Sequence, residues 1–211
     1  MKSFDLSLYL VLDPLLCAGI GMVETARIAV AGGATIVQLR DKHASTASMI
    51  ETGRALKRAL AGTEARLIVN DDVEAAVAID ADGLHIGQDD MDARAARHLI
   101  GPDMILGLSV ETEALAAAID PSVVDYAGIG PVFATPTKPD HKQPIGFAGL
   151  ARMVDLCPVP SVAIGGLKAE HAAGALLAGA DGIAVVSAIC GTPDPRAAAA
   201  EVARAIRRAR S

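Results

Sequence analysis

Two groups of residues in this chain could handle a doubly charged substrate. The first is the run Gln38-Leu39-Arg40-Asp41-Lys42. An extended backbone alternates its side chains, which turns Gln38, Arg40 and Lys42 to one side and Leu39 to the other, so an amide and two cations converge. The second comprises Asn70-Asp71-Asp72 and His85-Ile86-Gly87-Gln88-Asp89-Asp90. Hard divalent cations take carboxylate oxygens, and magnesium commonly keeps one or two protein carboxylates while phosphates and water fill its other positions. Asp71 and Asp90 suit that role. Each residue alone also has a plainer reading: Arg and Lys pair with acids on solvated loops, and Asp is a favoured helix N-cap. Asp72 fits a cap, and Asp90 too stands just before a helical stretch. What favours chemistry is that these clusters recur at one kind of place, the ends of apolar runs.

Further groups stand at equivalent places. Ser109 has no His or Asp beside it and no GxSxG frame, so it reads as a hydrogen-bond donor to a ligand rather than a nucleophile. Thr135-Pro136-Thr137-Lys138 carries two hydroxyls and an ammonium on a proline-stiffened segment suited to covering an anion. Gly165-Gly166 and Ser187 follow the last two apolar runs. Glycines there let backbone N–H groups approach a phosphate closely, or simply turn a corner. His85 is assigned no chemistry, since a hydrogen-bonded structural role fits it as well.

The elements that must position these groups are eight short apolar runs: 8–12, 35–39, 66–69, 83–86, 104–108, 126–129, 161–164 and 182–186. They alternate with eight stretches of helical period: 22–31, 46–61, 73–79, 93–100, 111–119, 147–155, 168–178 and 196–208. Ala-Gly-Gly before the second run, Ala-Asp-Gly before the fourth and Gly-Ala-Asp-Gly before the eighth read as glycines just past helix ends. Nearly unbroken apolar strands are buried on both faces, which predicts an α/β fold, a (β/α)₈ TIM barrel. The same alternation could build a doubly wound open sheet. The barrel places functional groups at the C-terminal ends of strands, where the clusters above lie. With 211 residues against ~250 for a typical barrel, loops must be short, yet 131–146 is long and carries four prolines; such loops are usually functional. A single barrel domain over residues 1–211 is expected.

Composition narrows the function. Of the residues 52% are apolar and 21% charged, the net charge is −6, and only five are aromatic, so the core is expected to be aliphatic, without Tyr or Trp anchors. An acidic chain is a poor collector of nucleic acid, which demands clustered cations. Three widely spaced cysteines, Cys17, Cys157 and Cys190, indicate no disulfide framework and suit a reducing, cytoplasmic setting. The run at 8–12 is cut off by Asp13-Pro14 before signal-peptide or membrane-span length. Small-molecule substrates are therefore the expected partners, with neither nucleic acid nor membrane. A homo-oligomer stays open.

Taken in order, QLRDK at Gln38, ND at Asn70, HIGQDD at His85, GLS at Gly107, GPVFATPTK at Gly130, AIGG at Ala163 and VVS at Val185 resemble the thiamine phosphate synthase family. The likeness runs from YLVLD at Tyr9 to the eighth strand. It implies that Gln38, Leu39, Arg40, Asp41, Lys42, Asn70, Ser109 and Lys138 hold an aminopyrimidine diphosphate, with Arg40, Lys42 and Lys138 catalytic. Thr135, Pro136, Thr137, Gly166, Val186 and Ser187 would hold a thiazole phosphate, and Asp71 and Asp90 would bind Mg2+. Asp41 and Asp89 stand where the family more often has Glu, and 140–144 has no clear counterpart. The implied reaction joins 4-amino-2-methyl-5-(diphosphooxymethyl)pyrimidine to a thiazole phosphate, plain or carboxylated, releasing diphosphate and giving thiamine phosphate. Two rivals share the barrel: a related thiazole tautomerase, needing neither the carboxylates nor Lys138, and a non-catalytic phosphate-ligand-binding barrel, which should have lost some of these charges.

If Lys138 assists the departing diphosphate, Lys138→Ala lowers the rate of diphosphate release in single-turnover kinetics more than it weakens thiazole phosphate binding. Equal effects on both would contradict that role.

Overall fold

The structure, a computed structural model, describes residues 4–135 and 143–211. Strands β1 (Leu8–Val11), β2 (Ile36–Leu39), β3 (Arg66–Asn70), β4 (Gly83–Ile86), β5 (Ile105–Val110), β6 (Tyr126–Ile129), β7 (Ser161–Ile164) and β8 (Gly182–Val185) alternate with helices. These are α1 (Met22–Ala31), α2 (Thr46–Ala59), α3 (Val73–Ile79), α4 (Ala93–Ile100), α5 (Glu113–Ala117), α6 (Gly146–Leu156), α7 (Ala172–Leu177) and α8 (Pro195–Arg210). Each strand pairs in parallel with the next, and β8 returns to β1 with Val185 opposite Leu10, so the sheet closes as a (β/α)₈ barrel. The open-sheet alternative is thereby removed. Among the described residues no helix is long and apolar enough to cross a membrane.

Two helical expectations shorten for local reasons. The stretch 111–119 contracts to α5 because the Thr112 hydroxyl caps it, accepting from the Leu115 N–H at 3.2 Å. The stretch 168–178 begins as a 3₁₀ turn, Ala169–His171, in which the Lys168 N–H donates to His171 Nδ1 at 3.0 Å before α7 starts. Strand β5 extends beyond its expected end and takes in Ser109.

One of the three glycine readings needs correcting. Gly33 and Gly179, at φ 112° and 93°, stand just past α1 and α7 as expected, whereas Gly83 and Gly182 open β4 and β8. They are glycine because neighbouring strands crowd them: a Cβ on Gly83 would lie 2.7 Å from the Ile105 carbonyl oxygen, and one on Gly182 2.5 Å from that of Ser7. Helix α3 instead ends on Asp80 in the left-handed conformation, φ 55°. The Asp preceding each of these glycines has its own task. Asp82 accepts from the Leu67 N–H and Asp181 from the Ser161 N–H, both at 2.8 Å, and Asp125 treats the Leu106 N–H likewise. Thr35 accepts from the Leu8 N–H at 3.1 Å. So the residue just before each even strand holds the main chain of the odd strand preceding it. Arg66 and Arg97 reinforce two of these carboxylates, at 3.1 and 2.6 Å.

Alternation in a closed barrel sorts side chains into two cores. Outward residues such as Leu10, Val37, Leu39, Val69, Leu84 and Ile183 pack beneath the helices, an aliphatic layer as expected. The lumen differs. Val11, Ile36, Ile68, Ile105, Val162 and Ala184 surround Tyr9 and Tyr126, the only tyrosines of the chain, both fully buried. The expectation of a core without tyrosine anchors thus fails at the barrel axis, because a lumen this wide needs a few large side chains and their hydroxyls find partners there. Gly107 makes room for the Tyr126 ring: a Cβ at Gly107 would fall on its ring atoms.

Gly107→Ala is accordingly expected to lower stability by about 1–3 kcal/mol, the usual cost of overpacking a close-fitted interior. Urea unfolding of the variant beside the wild-type protein measures it.

Candidate active site

The polar residues stand at the C-terminal ends of the strands and in the loops just beyond. Gln38 points into the lumen from β2, and Arg40 and Lys42 follow it on the β2–α2 loop. Asn70 ends β3. Asp71 comes next in a left-handed conformation, φ 62°, which costs energy for a residue with a Cβ but is tolerated best by Asn and Asp; its N–H donates to the His85 carbonyl at 2.9 Å. Caps are accounted for by other residues. Asp72 caps α3, accepting from Ala75 N–H at 2.8 Å, and Asp92 caps α4, accepting from the Arg94 and Ala95 N–H groups at 3.0 and 3.1 Å. That leaves Asp71 and Asp90 available to the mouth, and it removes the N-cap reading of Asp90.

These two carboxyls face each other. Burial and the neighbouring Asp90 raise the Asp71 pKa to about 6, with Lys42 and Arg40 pulling it down. Lys42 Nζ stands 3.8 Å from Asp71 Oδ2. Partial burial pushes Asp90 up, but hydrogen bonds from the Asp71 carboxyl and from the Gly87 N–H outweigh it and hold Asp90 below the ordinary carboxylate range; the Gly87 contact is 2.7 Å. Two carboxyls this close repel each other when both are ionised, and a hard cation relieves that repulsion. Among the described residues no group of three or more His, Cys, Asp or Glu comes together, so a cation here would draw further ligands from substrate and water, as magnesium commonly does.

Opposite this pair, the loops after β7 and β8 are lined by backbone. Gly165 and Gly166 adopt φ 101° and 64°, and their missing Cβ atoms leave room for the β6–α6 loop: a Cβ would sit 2.7 Å from Pro131 Cβ and from the Ala134 carbonyl oxygen respectively. That loop is laced to β7 by the Val132 N–H on the Ile164 carbonyl at 2.9 Å and the Phe133 N–H on the Gly165 carbonyl at 3.0 Å. Both conditions, the left-handed backbone and the close neighbour, demand glycine.

One cavity of about 260 Å³ joins the two sides. It brings together Gln38, Arg40, Lys42, Asn70, Asp71 and Asp90 with Ser109, Thr135, Gly166, Val186 and Ser187. Leu39 is fully buried between β2 and the helices, so it can reach a ligand only through its main chain. The Asp41 carboxylate accepts from the His43 N–H at 3.0 Å, and Asp41 does not line the cavity. Pro136, Thr137 and Lys138 lie outside the described residues.

Sequence reasoning missed the cavity floor. Tyr9 and His85 line it, within a continuous set of hydrogen bonds. Gln38 Nε2 donates to the Tyr9 hydroxyl at 2.8 Å, the Tyr9 and Tyr126 hydroxyls meet at 2.8 Å, and Tyr126 reaches His85 Nδ1 at 2.9 Å. His85 Nε2 then reaches the Ser109 hydroxyl at 2.9 Å. Full burial lowers the His85 pKa to about 4, with Asp90 opposing weakly, so the imidazole is neutral. A signal existed in that Tyr9, Gln38, His85, Ser109 and Tyr126 all occupy inward positions of their strands.

A closed parallel barrel with cations, paired carboxyls and glycine-lined loops around one C-terminal mouth is the arrangement of a small-molecule enzyme. The family described as thiamine monophosphate synthase matches residues 8–189, and the chain belongs to that family. A thiamine-phosphate synthase of Xanthobacter autotrophicus is 52% identical over 209 residues, 99% of each chain. One from Solidesulfovibrio magneticus is 53% identical over 202 residues, 95% of each. Among solved structures, the thiamine phosphate pyrophosphorylase of Pyrococcus furiosus superposes with a TM-score of 0.88 at 37% identity, covering 98% of both chains.

The depressed His85 pKa predicts an acid-sensitive contribution to stability. Below the ordinary histidine value of ~6.5 the unfolded chain takes up the proton and the folded one does not until about pH 4. This contribution is therefore intact above about pH 6.5 and lost as pH falls toward 4, a change on the order of 3 kcal/mol. In urea unfolding at pH 7 and pH 4.5, wild type should lose more stability between the two than His85→Gln does.

Proposed function

We propose that the protein condenses 4-amino-2-methyl-5-(diphosphooxymethyl)pyrimidine with thiazole phosphate, or its carboxylated form, giving thiamine phosphate and diphosphate. The observation that carries this reading is the facing pair Asp71 and Asp90, beside Lys42 and Arg40, across one cavity from the glycine-lined loops after β7 and β8. A tautomerase would have no use for the acid pair, and a mere phosphate binder would need only the glycine side. Family membership and close relatives called thiamine-phosphate synthases support the same activity.

The chemistry follows from charge. Breaking the bond between the pyrimidine methylene and the diphosphate oxygen leaves negative charge on the departing group. Arg40, Lys42 and, from the covering loop, Lys138 would meet that charge with fixed cations, an electrostatic contribution that costs no reorganisation at the moment of reaction. Asp71 and Asp90 would hold Mg2+, which when bound supplies further positive charge against the diphosphate oxygens. Gln38, Asn70 and Ser109 would orient the pyrimidine, whose amino group delocalises the positive charge left on the methylene. The thiazole nitrogen captures that carbon with its own lone pair, while Thr135, Pro136, Thr137, Gly166, Val186 and Ser187 would fix its phosphate. No protein nucleophile or base is needed, and holding two rings in register supplies the rest by proximity.

The test is incubation of the purified protein with both substrates, with and without magnesium, assaying thiamine phosphate and released diphosphate. Asp71→Ala and Asp90→Ala are each expected to abolish coupling while circular dichroism stays that of the wild type. Full activity of either variant without added metal would refute the magnesium assignment.

A further inference from the structure

The hydrogen bonds under the cavity join two residues at which the pyrimidine is proposed to sit. Gln38 and Ser109 are the ends, and Tyr9, Tyr126 and His85 are the links. Counting protons shows that the ends are not independent. Each phenol carries one proton, since burial holds both tyrosines well above their ordinary pKa. The neutral imidazole carries one as well.

With those counts, only two arrangements give every contact a proton and every link proton an acceptor. In one, Gln38 N–H donates to Tyr9, Tyr9 to Tyr126, Tyr126 to His85 Nδ1, and His85 Nε2–H to the Ser109 oxygen. The Ser109 O–H then points to the ligand, and the Gln38 Oε1 is left for it, with no donor to that oxygen among the described residues. In the other, every bond is reversed: the Gln38 Oε1 turns to Tyr9, its N–H groups face the ligand, and Ser109 offers only a lone pair. A mixed arrangement would either bury a link proton without an acceptor or set two lone pairs against each other, and a buried hydrogen bond left unmade is costly. The structure has Gln38 Nε2 on Tyr9, which is the first arrangement.

We propose that Tyr9, Tyr126 and His85 are positioning residues that set the cavity to one acceptor, at Gln38, and one donor, at Ser109, and so select an aminopyrimidine over its oxo counterpart. The inference rests on the proposed function for the identity of the ligand. An aminopyrimidine offers a donating amino group and accepting ring nitrogens, matching that pattern. A 4-oxo ring replaces the donor by an acceptor, which would meet the Gln38 oxygen unpaired. Exclusion of the oxo ring has a chemical use, since only the amino compound delocalises the charge left when diphosphate departs. Two glycines keep the relay in place: Gly107 admits the Tyr126 ring, and Gly128 admits His85, whose Cε1 would lie 3.2 Å from a Cβ there.

Two measurements test it. In protein labelled with 15N-histidine, the His85 signal, identified by its loss in His85→Gln, should show Nε2 protonated and Nδ1 not. The opposite tautomer would overturn the proposal. In steady-state kinetics with the aminopyrimidine diphosphate and its 4-oxo counterpart, the ratio of kcat/KM values should fall by roughly tenfold or more in Tyr126→Phe and in Tyr9→Phe, because a site built to pair a polar group rejects its mismatch strongly only while its own groups are fixed. An unchanged ratio in folded variants would overturn it too. The two readings fail separately: a wild-type protein unable to couple the substrates strikes the proposed function, whereas the imidazole tautomer is read with no substrate present.

Discussion

Closure of β8 onto β1 is the constraint from which the rest follows. Once eight parallel strands form a ring in chain order, a side chain has two places to go, under the helices or into a shared lumen, and parity along the strand chooses between them. Strands of four to six residues place only two or three side chains each in the lumen. The ring is pinned at its lower end by Thr35, Asp82, Asp125 and Asp181, each holding the main chain of the preceding strand. A strand fixed there by a hydrogen bond to its own backbone cannot slip in register, and a slip of one residue would exchange Gln38 for Leu39 in the lumen.

The mouth collects charge of both signs in a defined order. Lys42 and Arg40 stand beside the Asp71 and Asp90 pair, while the far rim presents glycine backbone that carries no charge of its own. Such a division suits a substrate with a diphosphate at one end and a partner with a single phosphate at the other. Beneath it the lumen is polar: among the described residues no fully buried side-chain nitrogen or oxygen lacks a hydrogen bond, and the Gln38 Oε1 is left for the cavity. A buried polar network of this kind is tolerated only when every member is satisfied, and here the same satisfaction ties the proton on Ser109 to the orientation of Gln38.

Much of this was legible in the residues because periodicity and strand-end chemistry are local. The alternation of apolar runs with helical stretches predicts the barrel, and the inward set Gln38, Arg40, Lys42 follows from parity alone. Legibility ended where two separated segments had to meet. The Tyr9 and Tyr126 hydroxyls touch although the residues stand 117 positions apart, and no spacing rule connects them, so the lumen was expected to be aliphatic. The Ala-Asp-Gly turn read as a helix end at Gly83 because a glycine after a helix usually is one; that neighbouring strands leave no room for a Cβ there is a fact of packing. Asp90 read equally as an N-cap, since Asp92 could be preferred only once the path of the chain into α4 was known.

The amino-acid order by itself thus determined which segments become strands and helices, which strand residues share a face, and which charges gather at strand ends, because each depends on neighbours a few positions away. Tertiary structure decided the rest: that Asp71 and Asp90 face each other closely enough to shift each other's acidity in opposite directions, and that five lumen residues from β1, β2, β4, β5 and β6 form one chain of hydrogen bonds. Those outcomes depend on distances across a closed ring, and such distances exist only after the ring has formed.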